Sequence, residues 1–106
     1  MYSNIYYSPE KFGLKVVLDV DKSDGCYQFD QFVIWEGYGG RYYWGEDSGC
    51  SCPSPFEDAG LDTLRQGSLL DAIDDARAWT LVDSYYDAEL SEAKKSIERF
   101  ASENGL

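Results

Sequence analysis

The period of the apolar residues changes midway along the chain. Before residue 46 they recur largely at every second position; after residue 67 they recur at every third or fourth. A two-residue period fits a strand with one buried side, and a 3.6-residue period fits an amphipathic helix. Strands gathered in one half and helices in the other point to an α+β domain.

Residues 14 to 20 put Leu14, Val16, Leu18 and Val20 on one side of a strand and Lys15, Val17 and Asp19 on the other. Asp24-Gly25 tolerates the positive φ angles of a tight hairpin, so the chain is expected to reverse there. A second strand over residues 26 to 36 keeps its alternation except at Asp30-Gln31, where a bulge is expected. Gly37-Tyr-Gly-Gly40 reads as a turn, Arg41 to Gly45 as a third strand, and Glu46 to Gly60, broken by glycines and prolines, as a long loop.

Ser68 is placed to cap a helix over residues 69 to 80, with Leu69, Leu70, Ile73 and Ala76 on its apolar stripe. Leu90, Ala93, Ile97, Phe100 and Ala101 give the same signature from residue 86 to 103, and Asn104-Gly105 supplies a stop. The fold expected over residues 1–106 is therefore a single α+β domain, a three-stranded antiparallel meander followed by two helices packed on one face.

Charge narrows the function. Twenty acidic residues against nine basic ones give a net charge of −11, which disfavours direct contact with nucleic acid phosphates or anionic lipid. Twelve of the acids and five of the bases follow Pro55, so the helical half is the more negative. No apolar run approaches a membrane span and the first residues lack the pattern of a signal peptide, so a cytoplasmic location is expected.

The 106 residues contain no histidine. That removes the commonest general base and metal ligand, and with them every Ser/His or Cys/His nucleophile arrangement. A non-enzymatic protein without a cofactor is expected. A metal site would have to draw on Cys26, Cys50, Cys52 and Asp47, and Cys-x-Cys is not a usual zinc spacing. Packing of reduced thiols is the preferred reading. Asp19, Asp21, Ser23 and Asp30 echo the offsets of a calcium loop, but the glycine falls one place late and the flanks read as strands, so a hairpin turn is preferred.

Two surfaces are candidates for binding a partner. Trp35, Tyr38, Tyr42, Tyr43 and Trp44 supply aromatic contact area at small entropic cost. With helices covering one face of the sheet only, Val33, Trp35 and Tyr43 are expected on an open second face, available to a partner or to another copy in a homo-oligomer. Asp71, Asp74 and Asp75 are expected on the outer side of the first helix, where spaced carboxylates could imitate nucleic acid phosphates in a basic groove of a nucleic-acid-binding protein.

The stretch Phe32-Val-Ile-Trp-Glu and Tyr42-Tyr-Trp-Gly-Glu-Asp-Ser-Gly-Cys-Ser-Cys-Pro-Ser-Pro-Phe-Glu57 resembles small uncharacterised proteins of actinobacterial phages, mainly over residues 27 to 80. Asp47 to Phe56 is the specific part. The resemblance implies a phage origin and the host cytosol, and it transfers no catalytic residue. By analogy with small acidic phage proteins, it implies an accessory protein that binds, and so inhibits, a host protein.

Overall fold

Four strands, where three were expected, make the sheet. They are β1 (Lys15–Asp21), β2 (Gln28–Glu36), β3 (Tyr42–Cys50) and β4 (Arg65–Gly67), all antiparallel in the order β1-β2-β3-β4. The computed structural model describes residues 4–21, 28–50, 56, 60–81 and 87–106, with the backbone alone at 28, 29, 50 and 87–91. The Asp24-Gly25 turn lies outside the described residues, although the strands flanking it pair as a hairpin requires.

Two corrections to the expected sheet have the same cause, that a backbone ladder does not need apolar alternation. The segment Glu46–Cys50, expected in a loop, continues β3, because β2 offers partners down to Gln28↔Cys50. Arg65-Gln66-Gly67, too short and polar to show a period, pairs with Tyr42–Trp44 as β4. Gly67 is needed there. A Cβ at this position would lie 3.2 Å from the Trp44 ring and 3.2 Å from an Asp71 carboxylate oxygen, so a bare backbone lets β4 run past the indole.

The bulge also sits elsewhere. The β2–β3 register is unbroken through Asp30, whereas the β1–β2 register shifts between Val16 and Leu18. The extra residue, Val17, reverses the faces of β1. Leu14 and Val16 therefore meet one core, while Val17, Leu18 and Val20 meet the other.

The helices α1 (Leu69–Trp79) and α2 (Asp87–Glu103) cover the face carrying Phe32, Ile34 and Trp44. The Ser68 hydroxyl accepts from the Asp71 N–H at 3.2 Å and so caps α1 as expected. Its buried stripe is Ala72, Ile73, Ala76 and Trp79; Leu70, expected on the stripe, is 47% exposed. Ala93, Ile97 and Ala101 of α2 are buried. The helix ends where Gly105, at φ 74°, and the Leu106 N–H, donated to Ala101 O at 2.8 Å, close its last turn.

The second face of the sheet was expected to be open, and it is covered. Val33 and Trp35 are fully buried beneath Ile5, Leu14, Phe56 and Leu64, with Tyr6 and Phe12 partly buried beside them. Apart from Leu14, these covering residues come from segments without a period, which is why the sequence pattern does not announce them. The domain thus has two cores, one on each side of the sheet.

Candidate functional site

Where α1 passes the far end of β2, β3 and β4, the helix and sheet diverge and leave a groove of about 550 Å³. It is lined by Asp30, Glu46, Asp47, Ser48, Arg65, Asp75, Ala78 and Trp79; the Asp47 carboxylate is held by the Phe56 N–H, which leaves Asp30, Glu46 and Asp75 as the groove's acids against one guanidinium. Alternation along the strands puts Asp30, Glu46 and Ser48 on the helix side of the sheet, in line with Phe32 and Trp44.

Arg65 is the hub of the charges. Its guanidinium pairs with Glu46 across the β3–β4 edge and lies 3.4 Å from Asp75 of α1. Asp75 also accepts the indole N–H of Trp44 at 2.7 Å. One carboxylate therefore satisfies a buried donor and steadies a cation on the groove wall.

Two further acids stand on α1 outside the groove. Asp71 and Asp74 are exposed, and among the described residues Asp74 meets Arg77 at 3.5 Å in a solvent-facing pair. Like charges at i, i+3 and i+4 disfavour a helix by a few tenths of a kcal/mol each, and only Asp71, in the first turn, is offset by the helix dipole. Arg77 is turned instead toward α2, where its Nε and Nη2 donate to Glu98 at 2.8 and 2.9 Å. This contact raises the Arg77 pKa and lowers that of Glu98.

The aromatic residues are not gathered on one surface. Trp35 and Tyr43 belong to one core, Trp44 and Tyr42 to the other. Of the five, Tyr38 alone is exposed, at 91%, on a short 3-10 turn (Tyr38–Gly40) between β2 and β3. Trp35 donates its indole N–H to Ile5 O at 3.2 Å and meets Phe56 edge-on at 5.2 Å.

Asp47, a candidate metal ligand, has an architectural task. Its carboxylate accepts from the Ser48 N–H at 3.0 Å and from the Phe56 N–H at 2.7 Å. The second bond helps to hold Phe56 at φ 57°, a left-handed conformation costly for an aromatic residue. Cys26, Cys52 and the Cys50 side chain lie outside the described residues. Among the described residues no three His, Cys, Asp or Glu side chains converge to hold a metal ion, and no helix is long and apolar enough to cross a membrane.

Asp30, Glu46 and Arg65 escaped the sequence reading. Asp30 drew notice only as a bulge position and a calcium-loop offset, Glu46 lay in an expected loop, and Arg65 in a segment with no period. Only the count of acids hinted at the two carboxylates.

The chain matches a family described as a domain of unknown function (DUF7574) over residues 3–105, and it belongs to that family. No curated protein and no solved structure is significantly similar to it.

Proposed function

We propose that this DUF7574 protein is a non-enzymatic binding protein that engages a basic surface of a partner protein through α1 and the adjoining groove. The observation that supports this most is the disposition of charge. Asp71 and Asp74 face solvent, and the neighbouring groove is lined by Asp30, Glu46 and Asp75 with one arginine. Of the five aromatic residues expected to form a competing surface, all but Tyr38 are used within the two cores. A surface of this kind attracts cationic partners over distances comparable to the Debye length and selects against acidic ones.

On the resemblance to actinobacterial phage proteins, the setting is an infected cell and the partner a host protein that handles nucleic acid. The spaced carboxylates would occupy the place of phosphates and so inhibit it. The reading is tested by pull-down from a nuclease-treated actinobacterial lysate, with the wild type compared to the double variant Asp71→Lys/Asp74→Lys. Loss of a captured protein both at high salt and in the variant is expected. A protein retained by the variant and at high salt, but lost with Tyr38→Ala, would overturn the acidic-surface reading.

A further inference from the structure

Among the described residues that line the groove, Arg65 is the one base. It stands opposite Trp44 in the β3–β4 register, so its side chain rises on the helix side of the sheet, beneath α1. From there the guanidinium reaches Glu46 in one direction and Asp75, 3.4 Å away, in the other. Two of the groove's three acids are thus already covered by a cation of the same chain.

Neither contact is sealed from water. The side chains of Arg65 and Glu46 are each 46% exposed, and that of Asp75 is 40% exposed. Ion pairs this wet are weak and exchange readily with other cations. Asp75 also has a second support. The oxygen that faces Arg65, Oδ2, accepts the Trp44 indole N–H at 2.7 Å. Its carboxylate therefore stays in place on the groove wall whichever cation it meets.

We infer that Arg65 is a built-in competitor, which occupies the groove in the free protein and is displaced from Glu46 and Asp75 by an arginine side chain of the partner. This rests on the acidic-surface reading above and adds to it the side chain that enters the groove and the residue that regulates its entry. A guanidinium is named because Arg65 shows that one fits between these two carboxylates. Its planar fork also suits a pair of carboxylates better than a compact ammonium does.

The probe is a hexa-arginine peptide, titrated into the isotope-labelled full chain and followed by NMR at about 0.15 M salt. The Trp44 indole N–H resonance is expected to move as the peptide binds, because its acceptor exchanges one cation for another. That of Trp35, bonded to Ile5 O on the other face, is expected to stay. Arg65→Gln should bind the peptide ~5-fold more tightly than the wild type. Lys15→Gln removes the same charge from the exposed opposite edge of the sheet. Three strand spacings, roughly 14 Å, separate the two edges, so this control should change affinity by less than ~2-fold. A peptide that binds without moving Trp44, or Arg65→Gln binding no more tightly than Lys15→Gln, would overturn the inference and leave the acidic-surface reading standing. If instead Asp71→Lys/Asp74→Lys binds the peptide as well as the wild type, the reading of α1 fails while Arg65 keeps its role in the groove. No binding to the wild type would remove both. Should Arg65→Gln fold poorly, the Trp44 resonance decides alone.

Discussion

The two faces of the sheet each bury a tryptophan, and they satisfy its indole N–H in opposite ways. Trp35, under the N-terminal segment, donates to a backbone carbonyl, that of Ile5. Trp44, under α1, donates to a carboxylate, that of Asp75, on the wall of an acidic groove. A carbonyl acceptor carries no net charge and lets the second face close completely. A carboxylate acceptor must keep contact with solvent or a cation, because burial of an unpaired charge costs several kcal/mol. Hence the helix face stays open at one end, with Arg65 beside Asp75, and the groove and the core share a residue. What closes one face leaves a charged site on the other.

The largest effect expected from breaking this arrangement is at Trp35. Trp35→Ala should lower the unfolding free energy by about 3–5 kcal/mol, read by urea titration, since the ring is fully buried. Asp75→Ala should cost less, about 1–2 kcal/mol, by leaving the Trp44 N–H without its acceptor and Arg65 with Glu46 alone. If Asp75→Ala proved neutral, the groove carboxylate would have no part in holding the core.

Tyr6→Phe should cost about 1 kcal/mol near neutral pH. Burial, with the bond to Asp19 second, pushes the Tyr6 hydroxyl up from 10.0 to about 12. A group raised on folding contributes stability that is complete below its unfolded value and disappears as the pH rises through the folded one. The difference between wild type and variant should therefore shrink between pH 10 and 12.

Glu98→Gln should give the smallest change, about 0.5 kcal/mol at pH 7, because the pair with Arg77 is solvent-exposed and screened. Its sign of pH dependence is opposite. The Arg77 hydrogen bonds lower the Glu98 pKa, so the contribution is present above the ordinary glutamate range and is lost as the pH falls through the lowered value. Unfolding curves of wild type and variant should converge in acid.

Residues with strong local signals were legible in the sequence. Phe32 and Ile34, Ile73 and Ala76, and Ala93, Ile97 and Ala101 lie on the faces their spacing indicates. The change of face in β1 was not legible, because Val16-Val17-Leu18 is apolar on both sides and hides a bulge that only pairing with β2 reveals. Nor was the cover over Trp35, since Ile5, Phe56 and Leu64 are isolated apolar residues in segments without a period. The candidate site was half legible. Asp71, Asp74 and Asp75 share one helix and could be found from spacing, whereas Asp30, Glu46 and Arg65 join Asp75 in the groove only because β2, β3 and β4 run beside that helix.

The most direct measurement is the salt dependence of affinity for the captured partner, by titration calorimetry with the wild type and Asp71→Lys/Asp74→Lys at several ionic strengths. Binding that weakens steeply with salt in the wild type, and that is weaker and less salt-sensitive in the variant, is the expected result. Equal affinities with no dependence on salt would contradict an acidic binding surface on α1.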